Sequence, residues 1–136
     1  MDTNRRAFVL FIKNEQLLLL RDAQRQERLK LPGGKVEFGE SFLQAAIREV
    51  TEEVGVILTP KTIQAIHLSD VFWEGEHFIN AIFVAESWLQ EPTLCEPTEH
   101  AELMWAPIAS IPNGVFPPLL NGIKLALAGN FYSEWQ

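Results

Sequence analysis

Pro32-Gly33-Gly34-Lys35-Val36-Glu37-Phe38-Gly39-Glu40-Ser41-Phe42-Leu43-Gln44-Ala45-Ala46-Ile47-Arg48-Glu49-Val50-Thr51-Glu52-Glu53-Val54-Gly55-Val56 begins as a glycine turn and becomes a helix with crowded acids. Ser41-Phe42-Leu43-Gln44 fits a capping box, in which the serine side chain accepts an orphan N–H and the glutamine reaches back. Leu43, Ile47, Val50 and Val54 recur at helical spacing, and Gly55 supplies a natural stop. With Glu49 at zero on a helical wheel, that apolar set falls at about 100–160°, a stripe for the core. Glu52 and Glu53 fall at about 300° and about 40°, so the three carboxylates share the other face. Like charges at these spacings cost about 0.2–0.5 kcal/mol per pair. Glu52 and Glu53 also stand at the negative end of the helix dipole. Local stability therefore opposes the arrangement.

An acidic helix face is often no more than a solvated surface. The sharper reading is a divalent-cation site, because clustered hard oxygens suit Mg²⁺ or Mn²⁺ and the ion removes the repulsion. The run Gly34-x5-Glu40-x7-Arg48-Glu49-Val50-x-Glu52-Glu53-x-Gly55-Val56 decides between them. It matches the Nudix box at every specified position, a coincidence on the order of 10⁻⁷ for a chain of this size. The sequence resembles the small MutT-type Nudix hydrolases.

That resemblance implies an α/β fold, an α/β/α sandwich with a mixed β-sheet. It also implies Mg²⁺-dependent hydrolysis, with Mn²⁺ as a substitute, of a nucleoside diphosphate linked to another moiety. By position, Glu49, Glu52, Glu53 and the backbone carbonyl of Gly33 are the expected metal ligands. Glu49 is the choice for orienting or deprotonating the attacking water, and Glu40 is an accessory carboxylate in the catalytic set. Gly34, Arg48 and Gly55 are read as structural, Arg48 as the residue that holds its i+4 neighbour Glu52. Relatives often take one more acid from a loop beyond the last sheet strand; Glu96 is the candidate, with Glu99 and Glu102 as rivals.

Outward from the box, residues 6–12 and 17–21 are apolar runs of strand length read as a β-hairpin, and residues 22–31 as a polar surface loop. Segments 62–72 and 77–86 read as strands, the second apolar enough to be covered on both faces. Residues 89–102 form an acidic loop, 103–106 a short strand, and about 116–128 a second helix with Leu119, Leu120, Ile123 and Leu127 on its apolar face. With no repeat, low-complexity tract or Ser/Gly linker, residues 1–136 are expected to form one domain.

Charge divides unevenly. Residues 1–35 carry eight bases and four acids, residues 36–136 three bases and fourteen acids, for a net −7. Such an acidic chain is poorly suited to polymeric nucleic acid, where Lys and Arg supply the affinity. A small-molecule nucleotide reached through metal ions is the expected partner. A single cysteine, Cys95, excludes an internal disulfide framework and gives no sign of a nucleophile. No apolar run approaches a membrane span or a signal segment, so a soluble cytoplasmic protein is expected, and the resemblance implies a monomer or homodimer.

The substrate is narrowed rather than fixed. Asp70-Val71-Phe72-Trp73-Glu74 lacks the proline and the tyrosine found downstream of the box in relatives acting on ADP-ribose and on diadenosine polyphosphates. Leu31-Pro32-Gly33-Gly34 and the short chain resemble members that cleave (deoxy)nucleoside triphosphates, modified ones included, to monophosphate and pyrophosphate. The alternatives are a hydrolase of ADP-ribose or a nucleotide sugar, and a non-catalytic nucleotide sensor. Lys35 is the candidate for the phosphates. Phe72, Phe78 and Asn80, with Phe8 and Trp73 in reserve, are the candidates for the base. His67, His77 and His100 are read as structural or surface residues, none as a ligand or base.

Overall fold

The computed structural model describes residues 2–136. In chain order the elements are β1 (Thr3–Leu10), β2 (Ile12–Lys13), β3 (Gln16–Asp22), β4 (Leu29–Lys30), β5 (Gly33–Lys35), α1 (Phe42–Val54), β6 (Ile63–Trp73), β7 (Glu76–Ala85), β8 (His100–Pro107), a 3₁₀ turn (Ile108–Ser110), α2 (Pro117–Leu127) and β9 (Tyr132–Trp135). They build a five-stranded mixed sheet in the order β5-β1-β7-β6-β9, in which β1 runs parallel to β7 and β9 parallel to β6. A second sheet forms around β3, which pairs β8 along one edge and β2 and β4 in turn along the other.

The helices lie on opposite faces of the five-stranded sheet. Ala7, Val9, Ala81 and Phe83 point into a cluster with Val50 and Val54 of α1. The alternating neighbours Phe8, Leu10 and Ile82 pack with Leu119 and Ile123 of α2. The run Leu17-Leu18-Leu19-Leu20 is wholly buried because successive side chains enter different clusters. β7, central in its sheet, is covered on both faces as its composition implies.

The N-terminal hairpin differs from expectation. β1 does not pair with β3; the tight hairpin is β2–β3, turning at Asn14 and Glu15, both at positive φ. The chain changes sheets at the buried Phe11, so one continuous apolar run serves two sheets. The expected 22–31 loop contains β4, because Leu29 and Lys30 pair with Arg21 and Leu20. β8 begins at His100 rather than at residue 103. β9, which the sequence pattern does not announce, is pinned by side chains: His67 donates from Nδ1 to the Asn130 carbonyl and meets Ser133 Oγ through Nε2, at 2.7 and 2.8 Å. No helix among the described residues is long and apolar enough to cross a membrane.

Candidate active site

α1 starts where the sequence places it. Ser41 Oγ accepts from the Gln44 N–H and the Gln44 side chain accepts from the Ser41 N–H; Gly55 closes the helix at φ 71°. The glycine pair preceding the helix then lets backbone and carboxylates approach. Gly33 sits at φ 142°, and a Cβ there would lie 2.2 Å from the Ala7 carbonyl oxygen, so a side chain would push β5 off β1. A Cβ on Gly34 would come within 3.0 Å of the Glu49 carboxylate.

Glu53 is the innermost acid, its side chain only 5% exposed. It accepts the Gly33 N–H through Oε1 at 2.8 Å and the Lys30 ammonium through Oε2 at 2.9 Å. Lys30 Nζ also donates to the Gly33 carbonyl at 2.7 Å. Burial pushes the Glu53 carboxyl up to about 7, against the pull of Lys30 and the Gly33 N–H and with the help of the Glu49 charge.

Arg48 is the organiser of the outer acids, and its principal partner is not the expected Glu52. It forks onto Glu40, Nε to Oε2 at 2.6 Å and Nη2 to Oε1 at 2.9 Å. Nη1 meets Glu49 at 3.0 Å and reaches Glu52 only at 3.4 Å, and Nη2 also donates to the Lys35 carbonyl at 3.1 Å. The fork and the Glu37 N–H hold the Glu40 carboxyl down at about 2. Arg48 thus links Glu40 to Glu49 and Glu52. Glu52, nearly half exposed, is the most solvated of the box acids.

The acidic loop is brought in by helix capping. Thr93 N–H donates to the Val54 carbonyl and Cys95 N–H to the Glu53 carbonyl, at 2.9 and 3.1 Å. A Cβ at residue 55 would lie 3.1 Å from Cys95 Sγ, so Gly55 also makes room for the loop. Glu96 then falls beside Glu53 and His100, with potential ligand atoms of the three within 4.8 Å of one another. Burial, then Glu52, Glu49 and Glu99, push the Glu96 carboxyl above its usual range. Of the rivals, Glu102 is engaged by Arg21 at 2.9 Å, and Glu99 is exposed and outside the cluster. His100 is the residue that sequence reasoning misses. It is buried, its Nε2 is 3.9 Å from Glu53 Oε2, and its Nδ1 has no partner among the described residues. The available signal is its position four residues after Glu96, a turn closed by His100 N–H to the Glu96 carbonyl at 2.9 Å.

The donor set fits a divalent cation. Hard oxygens from Gly33 and Glu53 already converge on one positive charge, the Lys30 ammonium, and Glu53 remains undercompensated. Glu49 and Glu52 lie outside the tight Glu53–Glu96–His100 cluster, tied to Arg48.

Beside this cluster opens a cleft of about 950 Å³, lined by Gly34 and by Lys30, which reaches from it to Glu53. Lys35, Phe78 and Asn80 line it, as do Arg6, Phe8 and Trp73. Arg6 lies over the Phe78 ring at 4.8 Å, and the Asn80 carboxamide oxygen is buried without a hydrogen-bond partner among the described residues. Phe72 does not belong here. Strand alternation sends it to the opposite face from Val71 and Trp73, where it is 48% exposed and stacks on His77 at 4.4 Å.

This two-helix sandwich, with a capped acidic helix closing on a glycine turn, is the architecture of a Nudix domain. The family model described as NUDIX domain matches residues 3–123, and the chain belongs to that family. It is 32% identical over 83 residues to the 8-oxo-dGTP diphosphatase of Escherichia coli, a match covering 59% of this chain and 63% of that protein. The chain thus spans less than two thirds of that relative. To a putative 8-oxo-dGTP diphosphatase of Bacillus subtilis it is 29% identical over 113 residues, covering 79% of this chain and 72% of the relative. The crystal structure of a MutT NUDIX hydrolase from Burkholderia pseudomallei superposes with a TM-score of 0.79 at 23% identity, covering 95% of this chain and 98% of that one.

Proposed function

We propose that residues 1–136 act as one divalent-metal-dependent pyrophosphohydrolase domain, which cleaves a (deoxy)nucleoside triphosphate, or a modified form of one, to monophosphate and pyrophosphate. The observation that carries the proposal is the convergence of the Gly33 carbonyl and the Glu53 carboxylate on a cation position, with Glu96 and His100 alongside. Mg²⁺, or Mn²⁺ in its place, would be held by Gly33 O, Glu53 and Glu96, with Glu49 and Glu52 contributing from the same helix, α1. Bound there, the metal supplies charge neutralisation of the phosphates and a more acidic water.

The remaining work falls to side chains. Glu49, fixed between Gly34 and Arg48, is positioned to orient the attacking water and take its proton. Lys35 at the cleft wall neutralises the phosphate chain, and Phe78 with Asn80 receives the base. The Asn80 amide oxygen, without a partner among the described residues, suits an N–H at the edge of a flat ring. The names of the E. coli and B. subtilis relatives favour an oxidised purine nucleotide as that substrate. The acidic exterior supports a free nucleotide over a polymer, and the proposed working form is a cytoplasmic monomer or homodimer.

A panel of nucleotides incubated with Mg²⁺, scored for pyrophosphate or phosphate release, tests the proposal. Pyrophosphate from a triphosphate supports it; selective turnover of ADP-ribose or a nucleotide sugar moves the substrate class; no turnover of any compound favours a sensor.

A further inference from the structure

Lys30 is bonded to two of the oxygens to which the proposed function assigns a metal ion. Its ammonium donates to the Gly33 carbonyl at 2.7 Å and to Glu53 Oε2 at 2.9 Å, using lone pairs that a bound ion would need. A magnesium ion approaches such oxygens to about 2.0–2.1 Å, so an ammonium held on the same pair competes with it. Two cations on one carboxylate would also repel each other. The backbone of Lys30 is fixed by β4, paired with Leu20, so the side chain alone is free to yield. The space open to it is the adjoining cleft, which Lys30 lines together with Lys35 and Arg6.

We infer that Lys30 is a tethered cation, which holds the Gly33 carbonyl and Glu53 in the metal-free protein and is displaced into the cleft when a divalent ion enters. This rests on the metal site of the proposed function. Its consequence is a coupling between ligands: the ion must compete with Lys30, and a phosphate chain in the cleft stabilises the displaced ammonium. Metal and anion then favour each other's binding.

Calorimetric titration of Mn²⁺ alone into the wild type and Lys30→Met provides the test. Tighter binding to the variant, by about 10-fold or more, is expected from loss of the competitor, together with a smaller gain on adding inorganic pyrophosphate. Equal or weaker binding by the variant overturns the displacement and leaves the metal reading standing. Absence of Mn²⁺ uptake by both proteins removes that reading and the displacement with it. A measurement on the wild type alone is independent of how the variant folds. Acetylation of Lys30, followed residue by residue by mass spectrometry, is expected to be slow relative to the exposed Lys13 and Lys61 and to accelerate on adding Mn²⁺. A Lys30 rate that Mn²⁺ leaves unchanged contradicts the inference.

Discussion

Replacing Glu53 with glutamine separates the two demands on that side chain. The buried carboxyl is held near 7 against an ordinary 4.5, so its ionised form is disfavoured in the folded protein. At about 1.36 kcal/mol per tenfold change in proton affinity, the ionised carboxylate costs the metal-free fold about 3 kcal/mol at a pH well above 7. The sign follows from linkage. A group whose folded pKa is raised contributes its stability below the unfolded pKa, here 4.5, and loses it as pH rises through about 7. Glutamine keeps an acceptor for the Gly33 N–H and removes the charge, while Lys30, about one third exposed, can turn to water. In chelator at about pH 8 the variant should therefore melt up to about 10 °C above the wild type, and at about pH 4 the gap should close. Turnover with Mg²⁺ should fall at least ~10²-fold, as a metal-ligand role requires. Differential scanning calorimetry across that pH range checks the stability half. A lower melting temperature for the variant at pH 8, or a gap that does not vary with pH, would contradict a burial penalty on the Glu53 charge, and near-normal turnover would exclude the ligand role.

Glu40 should behave in the opposite sense. Its carboxyl is held at about 2 by Arg48 and the Glu37 N–H, so its contribution is present above about 4.5 and is lost as pH falls through about 2. Urea midpoints of wild type and Glu40→Gln should differ at pH 6 and converge toward pH 2, and a separation that widens in acid counts against the fork. Gly33→Ala places a methyl 2.2 Å from the Ala7 carbonyl and 2.6 Å from Phe8 Cα, so a loss of at least about 2 kcal/mol in equilibrium unfolding is expected; wild-type stability would show that β5 has room to spare. Asn80→Ala removes a buried oxygen that no group among the described residues satisfies, so thermal stability should hold while KM for the preferred nucleotide rises about 5- to 50-fold. An unchanged KM would remove Asn80 from the base site.

The box makes α1 legible in the sequence itself. Its cap, its stop and its acidic face depend on neighbours within four residues, and each is found where the spacing puts it. The second helix and the covered strand β7 are equally local, written as runs of apolar residues at one period. The pairing of β1 is not legible. Nothing in an apolar run says which of two sheets each half joins, and the break at Phe11 follows only from how the layers stack. Phe72 and Trp73 show the same limit at the scale of one residue, since adjacent aromatics on a strand face opposite ways and the sequence does not say which faces the cleft.

Sequence alone determined the family, the helix and the identity of the acids, because a motif of fixed spacing on a helix fixes its own geometry. Which acid is buried, which loop residue lies beside it and which cation bonds it depend on the assembled fold. Glu53, Glu96, His100 and Lys30 come from α1, the acidic loop, the start of β8 and β4. Long-range packing sets their mutual distances, and the burial that raises the Glu53 carboxyl belongs to the assembled core rather than to any one segment.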